Sequence, residues 1–94
     1  LYLAGKTCLL LGYGAIGKKL APVLQALGMD ISVLKRNAVR EKNLTVYTTG
    51  QLLEALAGAD VVLCSLPETP ETINLLDRAA FAAMKRDGIL VNVG

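Results

Sequence analysis

The chain has no histidine and no tryptophan. Without histidine, a histidine-based triad, a histidine general acid and a histidine metal site are all excluded within these 94 residues. One Phe and three Tyr are too few for a base-stacking platform. A net charge of +2, ten Lys and Arg against eight Asp and Glu, is too small for an electrostatic footprint on nucleic acid. There are two cysteines, Cys8 and Cys64, each inside an apolar run, which reads as buried free thiols rather than a bridge or a redox pair. No apolar run reaches the length of a membrane span, so no membrane partner is expected. The opening "LYLAGK" lacks the charged segment and long apolar core of a secretory leader, and a cytoplasmic location is expected. It also lacks an initiating Met, which fits a piece of a longer protein.

What is present is strongly apolar: 53% hydrophobic residues and a mean hydropathy of +0.48. One small domain is expected, part of whose surface is covered by a neighbour. "KTCLLLGYG" reads as a strand over 7–11 without polar alternation, as in a parallel sheet covered on both faces. "AIGKKLAPVLQALG" reads as a helix over 15–27. Ile16, Leu20, Val23, Leu24 and Leu27 fall at helical spacing, Gly28 suits the C-terminal cap, and Pro22 should bend the helix or leave one carbonyl unpaired. "DISVL" is a second strand, "RNAVREKNL" a loop and "TVY" a brief third strand. "TTGQLLEALAGAD" is a helix with Thr48 and Gln51 spaced as a capping box. A fourth strand is expected over 61–65, two short helices opened by Thr69 and Asp77, and a fifth strand over 89–93. This alternation predicts an α/β fold, a Rossmann-type doubly wound parallel sheet of about five strands in the order 3-2-1-4-5. In that order Cys8 and Cys64 lie on neighbouring strands but two or three residues out of step, beyond disulfide reach.

"GYGAIG" places Gly12, Gly14 and Gly17 between the first strand and first helix, in the context that makes this spacing a dinucleotide-binding signal. Gly12 permits the tight turn, Gly14 lets a pyrophosphate approach the backbone, and Gly17 lets helix and sheet pack closely. The helix N-terminus faces the phosphates. At the end of the second strand such a domain usually carries an acid that binds the adenosine ribose. Here that position is Lys35, followed by Arg36 and Asn37. A point charge, a planar fork and an amide suit a 2′-phosphate, so NADP is favoured over NAD. The alternative is that both cations are solvated loop charges. Lys18 and Lys19 read as solvated surface lysines.

Three stretches, "LAGKTCLLLGYGAIGKKLAPVLQALGM", "ADVVLCSLPETPETINLLD" and "FAAMKRDGILVNVG", resemble the NAD(P)-binding domain of the D-isomer-specific 2-hydroxyacid dehydrogenases, which include phosphoglycerate dehydrogenases and glyoxylate/hydroxypyruvate reductases. The resemblance implies that Ala15 and Ile16 place backbone amides at the pyrophosphate. Ser65, Leu66 and Pro67 would line the adenine and ribose side, Thr72 would reach the cofactor by hydrogen bond, and Val93 would approach the nicotinamide. It implies a homodimer built through the cofactor domains. It also places the family's catalytic Arg just after the fifth strand, with its supporting acid and His further on. None of these lies within residues 1–94, so the expectation is a partial domain that binds cofactor without catalysing, its 2-hydroxy acid substrate met only in the full-length protein. No residue here is assigned a catalytic or metal-binding role. Ser65 and Cys64 lack a base, and Glu71 suits a helix N-terminus. The competing reading is a non-catalytic NADP(H)-binding or dimerisation module.

Overall fold

The computed structural model of the chain describes residues 3–36, 39–65 and 82–92. Five strands form one sheet: β1 (Thr7–Leu11), β2 (Asp30–Lys35), β3 (Thr45–Thr48), β4 (Val61–Cys64) and β5 (Ile89–Asn92). Their order is β3-β2-β1-β4-β5, with every pairing parallel, as the alternation of elements predicts. Helix α1 (Ala15–Ala26) follows β1, and α2 (Leu52–Ala57) follows β3. The helices expected from Thr69 and Asp77 fall on residues outside those described, apart from 82–83, which are helical.

The unbroken apolar run of β1 is explained by its central place. Leu9 and Leu11 enter one core with Leu34, Leu52, Leu56 and Val62, beneath α2. Cys8 and Leu10 enter the other with Ala21, Met29, Ile31 and Val33, beneath α1. Strand side chains alternate between faces, so a strand covered on both sides has no position left for a polar group. The two thiols are therefore separated twice over. Leu11, not Cys8, pairs with Cys64, and the two cysteines belong to opposite cores. Both are free and buried. Burial pushes the Cys8 thiol from 9.0 up to about 11, which leaves roughly a hundredfold less thiolate at neutral pH. Cys8 in the native protein is expected to resist a thiol-specific reagent and to react at the ordinary rate only once unfolded in denaturant, a difference that a timed labelling assay reads directly.

Helix α1 runs through Pro22 without interruption. Pro22 and Lys18, whose carbonyl loses its helical partner, both lie on the exposed side, where a carbonyl without a helical partner is not cut off from solvent. The helix stops one residue before the periodicity does. Gly28, at φ +88°, donates to the Gln25 carbonyl at 2.9 Å, and the Met29 N–H donates to Leu24 at 3.1 Å. That pair of bonds needs a residue tolerant of the left-handed region. The helix expected after β3 opens instead as a 3-10 turn, Thr49–Gln51, before α2 begins. Gly50 lies in that turn and weakens its helical preference. The Thr48 N–H donates to Gln51 Oε1 at 3.0 Å, so the capping pair forms as spaced.

Asp60, the residue before β4, clamps three strands at their amino ends. Its carboxylate accepts from the Thr7 N–H at 2.9 Å and from Lys85 Nζ at 3.0 Å. Its own N–H donates to the Thr7 carbonyl, and its carbonyl accepts from Ile89. The Thr7 hydrogen bond, and then Lys85, hold its carboxyl below the usual carboxylate value of 3.8. A carboxyl depressed on folding stabilises the protein above its unfolded value and loses that contribution as pH falls through the lower folded value. Asp60→Asn is expected to cost about 1 kcal/mol at neutral pH, a cost that shrinks as acidification protonates the carboxylate, which urea melts across a series of falling pH values would read.

Candidate functional site

The strand order reverses beside β1: β2 and β3 lie to one side of it, β4 and β5 to the other. In such sheets ligands bind in the crevice beyond the carboxyl ends of the strands at the reversal. The register aligns those ends. Leu11 pairs with Leu34 on one side and with Cys64 on the other, so Gly12, Lys35 and Ser65 emerge in one row.

The loop from β1 into α1 is built by its glycines. Gly12 has φ +93°, the left-handed conformation of the turn, and its N–H donates to the Leu34 carbonyl at 3.2 Å. Gly17 is buried, and a Cβ there would lie 3.1 Å from the Gly12 carbonyl oxygen and 3.3 Å from Tyr13 Cδ1. It is the point of close helix–loop contact. Gly14 differs: it is exposed, its backbone is extended at φ −95°, and a Cβ would meet no protein atom within 4 Å. Nothing in the packing requires glycine there, which leaves room for a group resting on the backbone. No side chain caps α1, and its first turn holds no acid. The N–H groups at Ala15, Ile16 and Gly17 begin the helix without intrahelical partners, at the positive end of its dipole. This is a cradle suited to a pyrophosphate.

Ser65 closes the crevice from β4. Its N–H donates to the Leu11 carbonyl at 3.1 Å, and its hydroxyl reaches the carbonyls of Leu11 at 3.3 Å and Gly12 at 3.5 Å. Ser65 thus braces the glycine loop as well as bordering the site. Lys35 lies at the end of β2, as the apolar run indicates, yet it is not a free cation. Its ammonium pairs with the Glu41 carboxylate and donates to the Val39 carbonyl at 3.2 Å. Arg36 is exposed and makes no ion pair among the described residues. Asn37, Leu66, Pro67, Thr72 and Val93 lie outside the described residues.

Two residues enter the site that the sequence reading passes over. Tyr13 occupies a variable position of the glycine motif, and its ring centroid lies 5.9 Å from Lys18 Nζ and 6.0 Å from Lys35 Nζ. Lys18 is therefore exposed but not idle, since its charge lies within reach of the ring. Glu41 belongs to the loop between β2 and β3, where no periodicity marks a facing side chain. The available signal was its sign, a carboxylate a few residues beyond Lys35 and Arg36.

Known proteins share this fold. The family model described as "D-isomer specific 2-hydroxyacid dehydrogenase, NAD binding domain" matches residues 1–94. A glyoxylate reductase of Aeropyrum pernix is 37% identical over 93 residues, covering 98% of this chain and 28% of that protein. The crystal structure of a Thermus thermophilus protein superposes with a TM-score of 0.85 at 39% identity, covering 98% of this chain and 28% of that one. An NADPH-dependent glyoxylate/hydroxypyruvate reductase of Sinorhizobium meliloti, in complex with NADP and sulfate, superposes with a TM-score of 0.84 at 26% identity, covering 95% of this chain and 30% of that one. The chain thus spans under a third of the length of each of these relatives.

Proposed function

The chain belongs to the D-isomer-specific 2-hydroxyacid dehydrogenases, as their NAD-binding domain, and from that premise we propose that the protein carrying it transfers hydride between nicotinamide and a small 2-hydroxy or 2-keto acid, using NADP in preference to NAD. Binding of a nicotinamide dinucleotide follows from the family. The choice of dinucleotide and the reaction of the whole protein are our reading. Bound nicotinamide supplies the hydride chemistry, and the protein's part is to hold and orient it. In this reading the amides of Ala15, Ile16 and Gly17 bind the pyrophosphate over Gly14. Ser65, Leu66 and Pro67 border the adenosine, Thr72 adds a hydrogen bond and Val93 meets the nicotinamide end.

The observation that carries the NADP preference is Lys35 followed by Arg36 at the end of β2, level with Gly12 in the sheet register. A carboxylate at position 35 would accept the ribose 2′-hydroxyl and repel a 2′-phosphate, whereas two cations reverse both effects. The NADP bound by the Sinorhizobium meliloti reductase supports the same choice. Exposed apolar residues on α1 and at its C-terminal cap, Val23 at 57% and Leu27 at 52% exposure, support pairing of two cofactor domains in a homodimer. A cytoplasmic location completes the proposal.

Titrating the intact protein with NADPH and NADH side by side, at low and moderate salt, tests this reading. Tighter NADPH binding that weakens with salt is expected, because exposed charges are screened. Equal binding, or a preference for NADH, would make the two cations a solvated strand end. Binding of neither cofactor would favour a pairing module without redox chemistry.

A further inference from the structure

We infer that Glu41 is a cofactor-selectivity residue that opposes the 2′-phosphate: it is paired with Lys35, and a bound NADP must share or displace it. The inference rests on the NADP reading above and adds a competing charge to it. An ammonium has three N–H donors. In Lys35 one serves the Glu41 carboxylate and another the Val39 carbonyl, both in the loop that leads from β2 to β3. The pair is partly sheltered, with the Lys35 side chain 15% and the Glu41 side chain 29% exposed. Lys35 is thus held against its own loop, with its charge also near the Tyr13 ring of the glycine loop.

A 2′-phosphate that reaches Lys35 therefore meets a cation already paired. Two anions on one ammonium would stand within about 5 Å of each other, close enough for strong like-charge repulsion at a partly sheltered site. Either Glu41 swings away with loss of its pair, or the phosphate binds against it, and both weaken NADP. NAD brings no charge to this position and is not penalised. Arg36 is exposed and has no such partner among the described residues, so it is the cation free to meet the phosphate first.

Binding of NADP+ and NAD+ to the intact protein and to Glu41→Gln tests the inference, with Lys35→Ala and Arg36→Ala measured in parallel. Removing the competing charge is expected to tighten NADP+ by roughly three- to tenfold and to leave NAD+ within about twofold. Glu41→Ala should act in the same direction, and thermal melts establish that both variants are folded. Unchanged or weaker NADP+ binding in Glu41→Gln would overturn the inference and reduce the pair to a loop clasp. If Lys35→Ala and Arg36→Ala lose NADP+ affinity in that case, the NADP reading survives alone. If neither changes the ratio of NADP+ to NAD+ affinity, both readings fall.

Discussion

The double substitution Lys35→Asp/Arg36→Ala is expected to weaken NADP+ about hundredfold while leaving NAD+ unchanged or tighter. Charge-assisted hydrogen bonds are worth about 1.5–3 kcal/mol each. Arg36 is exposed and Lys35 is shared with Glu41, so each belongs at the low end of that range. Their sum of about 3 kcal/mol corresponds to roughly two decades in affinity. The new carboxylate at position 35 acts on both cofactors at once, repelling a 2′-phosphate and accepting the free 2′-hydroxyl of NAD. It also faces Glu41, the partner of the lysine it replaces, so the 39–41 loop loses its clasp. Lys35→Ala/Arg36→Ala isolates that effect, because it removes both cations without adding an anion, and it should lose NADP+ affinity without the gain in NAD+. A double variant that keeps its NADP+ affinity would show that neither cation touches the phosphate. The measurement is a pair of titrations under one salt condition, accompanied by a thermal melt of each variant.

How much of this was legible in the sequence depends on the range of the interaction. β1, α1 and the strand order followed from local patterns: an apolar run with no polar alternation, a helical stripe and the glycines between them. Leu9 and Leu10 enter opposite cores, and that is why the run is unbroken. The boundaries moved where a turn has its own geometry, as at Gly28 and in the 3-10 turn over Thr49–Gln51. Asp60 could be read as closing a turn, but not as joining Thr7, Lys85 and Ile89, which only the register brings to it. Lys35 could be placed at the mouth of the site because a strand end is a local feature. Its partner could not, since Glu41 stands six residues on across a loop whose path no pattern encodes. The site was therefore visible in its backbone parts and hidden in its electrostatics. A charge read from sequence has a sign and a place, but its availability depends on who else has reached it.

The same division between backbone and ligand predicts opposite stability effects at two glycines of one motif. Gly14→Asp should raise the melting temperature, whereas Gly17→Val should lower it, and both should lose either cofactor. At position 14 the backbone is extended and a Cβ meets nothing within 4 Å, so a side chain fits without strain. An aspartate there is a good N-cap and adds a favourable charge at the positive end of the dipole, together about 0.5–1 kcal/mol. In a domain of this size that amounts to a few degrees, on the order of 4–8 °C per kcal/mol. The same carboxylate takes the amides at the start of α1 and repels the pyrophosphate, which NAD and NADP share. Both should therefore weaken by about a hundredfold, a loss of roughly 3 kcal/mol. At position 17 a Cβ would stand 3.1 Å from the Gly12 carbonyl and 3.3 Å from Tyr13 Cδ1. Valine adds two methyl groups to that contact. The helix must move off the loop, at a cost of about 1–3 kcal/mol in stability, and binding fails because the cradle has opened. Melting curves and cofactor titrations on the two variants separate the causes. If Gly14→Asp binds either dinucleotide as well as the parent does, the pyrophosphate does not rest on the start of α1, and the glycine at 14 belongs to the turn alone.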